Sequence, residues 1–78
     1  MRPSELEQVA RTRAGLTSGD ARRAREAAGV SAAEVGRVVG VSRMAVSHWE
    51  RGAKRPTDRH ALAYGRLLAA LGNRGGAS

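Results

Sequence analysis

A chain of 78 residues without cysteine has room for one small domain, and neither a disulfide framework nor a thiolate metal site is open to it. Its net charge of +7 is carried almost wholly by arginine, with Lys54 the single lysine. The planar guanidinium fork suits phosphate and guanine, so the balance points to nucleic acid, although a GC-rich coding sequence also favours Arg, Ala and Gly. Phe is absent and only Trp49 and Tyr64 are aromatic, which disfavours a stacking surface for single strands. No apolar run approaches the ~18 residues of a membrane span, and the polar N-terminus lacks a signal-peptide core. A soluble, cytoplasmic protein without a membrane partner is therefore expected, and no cofactor or metal.

Strand-like alternation and internal repeats are missing, so the chain reads as all-α. Ser4 with Glu7 has the capping-box pattern and opens a first helix over residues 5–14, with Leu6 and Val9 on one side and Gly15 at its end. A second begins after Thr17 or Ser18, carries Asp20 in its first turn and stops at Gly29. Ser31 with Glu34 forms another capping box and opens a third helix that runs to Val39, with Val35, Val38 and Val39 inward. Gly40 supplies the left-handed residue of a tight interhelical turn. Ser42 caps a fourth helix over residues 42–51, with Val46 and Trp49 inward. After Pro56 a fifth spans residues 58–71, where Leu62, Leu67, Leu68 and Leu71 form the strongest apolar stripe. The Gly-rich residues 73–78 are expected to be a disordered tail. The domain reading is an extra N-terminal helix (1–16), a central domain (17–72) and that tail.

Residues 40–56, GVSRMAVSHWERGAKRP, combine a sharp turn, a short helix with an apolar underside, and a basic loop. With the run REAAGVS at residues 25–31 ahead of them, they resemble the phage-repressor and Cro type of helix-turn-helix domain, the XRE family. The resemblance covers residues 21–72. It implies a compact, lambda-repressor-like bundle of about five helices around a central helix-turn-helix, with residues 42–51 as the recognition helix. It also implies a structural ion pair between Arg25 and Glu50; Glu50 has no second carboxylate or metal ligand beside it in the sequence that would make it a catalytic acid.

The resemblance assigns base readout to Arg43, Met44, Ser47 and His48. Arg43 suits guanine O6 and N7, with a phosphate clamp as its alternative. Met44 suits a thymine methyl or a subunit contact, and His48 suits a base, a phosphate or plain solvent. Phosphate contacts fall to Ser31, Ser42, Arg51, Lys54 and Arg55. Arg37, Arg22 and Arg23 are solvated charges or further phosphate contacts. Three departures from the family stand out. Ala32 occupies a position where many members carry a phosphate-binding glutamine. Ala21 and Ala24 replace larger apolar residues, a shortfall that Leu6, Val9 and Leu16 are expected to fill. The last helix that many members use for dimer contacts is expected to be missing after Leu71.

The expected function is a sequence-specific transcription regulator, a small Cro-like repressor binding a double-stranded DNA operator as a homodimer. The alternative is an antitoxin-like module that holds a small protein partner through the N-terminal helix or the tail. Non-specific coating of the nucleoid leaves the ordered pattern of residues 40–56 unexplained. With His48 and His60 the only histidines and no triad or phosphate loop in sight, an enzyme is not expected.

Overall fold

The computed structural model describes the backbone of residues 1–76 and the side chains of residues 1–72. Among these residues the regular structure is five α-helices: α1 (Pro3–Ser18), α2 (Asp20–Ala27), α3 (Ala32–Val39), α4 (Arg43–Glu50) and α5 (Asp58–Gly76). Of the expected tail, the backbone continues as helix to Gly76, and residues 77–78 lie outside the described residues.

The first helix is longer at both ends than its local signals suggest. Pro3 stands in its opening turn, where a missing N–H costs nothing, and the Glu5 carboxylate accepts the Arg2 N–H at 2.8 Å. Glu7 pairs with Arg11 instead of joining a box with Ser4. Gly15 stays helical. A Cβ there would meet Ala21 at 3.7 Å, an ordinary van der Waals contact, so the packing of α1 on α2 would accept a small side chain at this position. A glycine weakens a helix by about 1 kcal/mol but does not by itself end one. The chain turns at Gly19 instead, with φ of +89°.

Farther along, local chemistry decides the boundaries. The Ser31 hydroxyl accepts the Glu34 N–H at 3.1 Å while the Glu34 carboxylate accepts the Ser31 N–H at 2.9 Å. The Ser42 hydroxyl accepts the Ala45 N–H at 3.0 Å. Gly40 takes φ +89° and ψ 33°, and the Gly40 and Val41 N–H groups both donate to the Gly36 carbonyl at 2.8 Å. Gly36 is buried against this turn: a Cβ there would stand 2.5 Å from the Val41 carbonyl oxygen.

Leu16, Ala21, Val35, Val46, Trp49 and Tyr64 form the central core, with Leu67 and Leu68 packed against it. Two expected core residues are elsewhere. Leu6 is 55% exposed, because the inward face of α1 is set by Val9, Thr12 and Leu16, and one turn back from Val9 that face meets Glu5. Val38 is 64% exposed, because Val35, Gly36 and Val39 define the buried face of α3. On α5 the leucines are half-buried, and the innermost positions belong to Ala61, Tyr64 and Gly65. α1 lies chiefly along α5, and at their crossing a Cβ on Gly65 would collide with Thr12 Oγ1. Small residues come first where helices approach this closely.

Candidate nucleic-acid interface

At 1.5 Å per residue the eight residues of α4 span about 12 Å, close to the width of a DNA major groove. Val46 and Trp49 are buried on its inner side, and Trp49 stacks obliquely on His60 with ring centres 5.8 Å apart. His60, expected at the surface, is therefore half-buried. On the other side Arg43 and Met44 are exposed at the start of the helix, Ser47 and His48 are half-buried one turn on, and Arg51 is exposed at the C-cap. Helical spacing puts Arg43, Ser47 and Arg51 on one ridge, with Met44 and His48 beside it.

The far end of α4 is fixed from below. Arg25 Nε and Nη2 each donate to one oxygen of Glu50, both at 2.7 Å, and Arg25 Nη1 donates to the Val30 carbonyl at 3.2 Å. The Tyr64 hydroxyl donates to Glu50 Oε2 at 2.7 Å, so three helices converge on one carboxylate. Glu50's side chain is 4% exposed and Arg25's 11%. Burial alone would raise the Glu50 carboxyl, but the hydrogen bonds from Arg25 and Tyr64, with Arg25's charge, hold it below the ordinary glutamate value. The Glu50 hydrogen bonds raise Arg25 in turn. Burial and Glu50 push the Tyr64 hydroxyl far up, so it remains a donor. Three donors on one buried carboxylate make an anchor for the end of α4.

The charges around α4 follow a plain rule. From Arg37 to Arg59 the chain carries six cations: Arg37, Arg43, Arg51, Lys54, Arg55 and Arg59. Its two carboxylates, Glu50 and Asp58, are both engaged by arginines from outside the segment, Arg25 and Arg13. None of the six makes an ion pair among the described residues, and all six residues are exposed.

Ser31, Arg43, Met44, Ser47 and Arg51 come together around a concavity of about 490 Å³ between the start of α3 and the outer face of α4. Ala32 lines it too, and its short side chain offers no hydrogen-bonding group there. Ser42, His48, Lys54 and Arg55 lie outside this hollow; Lys54 and Arg55 line a second one, against α1. Ser31 and Ser42 use a lone pair each as helix caps, which leaves their O–H groups able to donate. After α4 the Ala53 and Lys54 N–H groups both return to the His48 carbonyl, at 2.8 and 3.3 Å, and hold the basic loop beside the helix end. Arg22 and Arg23 pair with Glu26 and Asp20 on α2.

Three residues of consequence escape a reading of the sequence. Tyr64 and Arg13 act across the fold, and nothing local announces them. Gly36 does carry a signal: a glycine inside an otherwise good helix pattern usually has a packing reason.

A short helix clamped from beneath, with an unpaired cationic face and a capped helix beside it, defines an all-α DNA-binding domain. Residues 22–69 match the helix-turn-helix family, more than half of the chain, and the protein belongs to that family in its XRE form. It is a DNA-binding regulator of the XRE kind, and the family is a regulatory one, not a family of enzymes. Comparison with curated proteins and with solved structures finds no match. Among the described residues no helix is long and apolar enough to cross a membrane.

Proposed function

We propose that this protein is a small, sequence-specific repressor of the Cro-like kind, which lays α4 in the major groove of double-stranded DNA. The observation that carries the reading is the run of six exposed cations from Arg37 to Arg59, none in an ion pair among the described residues, around an anchored helix. Arg43 and Met44, exposed in the first turn of α4, are placed to read base edges, with Ser47 and His48 one turn on. Ser31, Ser42, Arg51, Lys54 and Arg55 take backbone phosphates, which supply affinity and register but no sequence information. One helix of about 12 Å reads few base pairs, so specificity calls for a homodimer on a pseudo-palindromic operator.

The test is selection of bound duplexes from a random pool at near-physiological salt. An enriched inverted repeat with half-sites about one helical turn apart supports the dimeric repressor. Enrichment of a lone half-site removes the dimer and keeps the readout. No enrichment, with binding that vanishes as salt rises, leaves charge alone as the basis of DNA binding and overturns the proposal.

A further inference from the structure

The matched family span begins at residue 22, so α1 lies outside it, yet α1 reaches the DNA-facing loop. Arg13 Nη2 donates to the Pro56 carbonyl at 2.9 Å and to Asp58 Oδ1 at 2.8 Å. Its side chain is 23% exposed, and its Nε is buried without a hydrogen-bond partner. Laying down an arginine in this way costs desolvation of part of the guanidinium, which two charge-assisted contacts at its tip offset. Those contacts fall at the far end of the segment that carries Arg51, Lys54 and Arg55, and Pro56 itself is buried there. The near end of the same segment follows Glu50, which Arg25 holds. The basic loop is thus tied down on both sides by arginines that come from other helices.

We propose that Arg13 is a positioning residue for DNA binding: by fixing the loop at Pro56 and Asp58 to α1, it makes affinity for duplex DNA depend on a side chain that touches no DNA. The inference rests on the reading of residues 51–55 as the backbone-contacting loop. A loop ordered before binding loses less freedom on binding, so its cations contribute more of their attraction. α1 is then part of the binding apparatus and more than a cover for the core.

Charge and position make opposite predictions at Asp58. Asp58→Asn removes a negative charge, so electrostatics alone tightens binding, whereas the tether, left with a neutral amide oxygen as its acceptor and no charge assistance, loosens and so weakens binding. Arg13→Lys keeps the charge but, with a shorter side chain, draws the donor nitrogen back from the Pro56 and Asp58 oxygens that Nη2 reaches. Binding of both variants to a labelled mixed-sequence duplex is measured at fixed salt, with amide hydrogen exchange of the free proteins. The expected result is binding weaker by roughly fivefold for each, with faster exchange at Ala53 and Lys54 and unchanged exchange at Val46 and Trp49. Asp58→Asn binding as well as or better than the wild type overturns the inference, as does exchange that rises uniformly along the chain. Lys54→Ala separates this from the parent reading. If Lys54→Ala weakens binding and the tether variants do not, only the role of Arg13 fails. If Lys54→Ala has no effect, the loop does not lie on DNA and both readings fall.

Discussion

Among the described residues every arginine from Arg11 to Arg25 has a carboxylate partner, and from Arg37 to Arg59 none has. The two stretches use the same side chain in one small molecule, and what separates them is the supply of acid. On α1 and α2 the partners are neighbours along the helix or reach across the fold. Around α4 the local carboxylates are taken by arginines from the other stretch. The scaffold thereby neutralises the two carboxylates near α4 and leaves the cations around that helix without ion-pair partners among the described residues. An excess of positive charge becomes a directed one.

The sharpest way to break this contrast is to remove the carboxylate that joins the two regions. Glu50→Ala leaves the Arg25 guanidinium buried without its partner and is expected to cost about 3–5 kcal/mol of stability, enough to unfold much of a domain this small. Urea titration followed by Trp49 fluorescence measures it. The same carboxylate sets a pH dependence. Its folded pKa lies below the ordinary value, so its contribution is complete above the usual glutamate range, near pH 5, and is lost as pH falls through the folded value. The stability gap between wild type and Glu50→Gln should therefore narrow on acidification, and a constant gap would show that the charge at Glu50 adds nothing.

Gly36→Ala strikes the turn that sets α4 against α3. Its Cβ meets a backbone oxygen that cannot swing away, so a loss of about 1–3 kcal/mol is expected in the same titration. Arg43→Ala should leave stability nearly unchanged but reduce discrimination among duplexes by about 1–3 kcal/mol, read from competition between selected and scrambled sequences. Lys54→Ala should weaken all duplexes alike and lower the slope of log affinity against log salt by about 1. The smallest effect belongs to the paired side of the comparison. Arg22→Ala breaks an exposed helix pair with Glu26 and should shift stability by less than about 0.5 kcal/mol. If it weakens DNA binding as much as Lys54→Ala does, pairing does not mark the boundary between scaffold and interface.

Much of this arrangement is legible in the sequence wherever the cause is local. Ser31 with Glu34, Ser42 and Gly40 place three helix boundaries, because a cap or a left-handed turn depends on residues three or four apart. Gly15 misleads, since a glycine permits a break without requiring one, and the helix runs through it to Ser18. Leu6 and Val38 mislead for a related reason. Helix periodicity fixes which residues share a face, but the centre of the buried face is chosen by the neighbouring helices. Arg13, Tyr64 and Gly65 each act through partners in distant parts of the chain, at Pro56, Glu50 and Thr12, and no window of sequence contains both halves of those contacts.

The packing of α1 along α5 has a consequence for the birth of the molecule. In synthesis from the N-terminus onward α1 leaves the ribosome well before α5, the helix along which it chiefly packs, and that wait is long for a small domain. Until then only the part of α1 that meets α2 and α4, with Leu16 against Ala21, Val46 and Trp49, can be covered, and the face that crosses Gly65 at Thr12 stays open. The turn between α3 and α4 can form earlier from local contacts alone. Completion of the nascent fold is therefore gated by synthesis of α5, and a stall before Tyr64 would leave Glu50 without one of its partners and α1 without its seat.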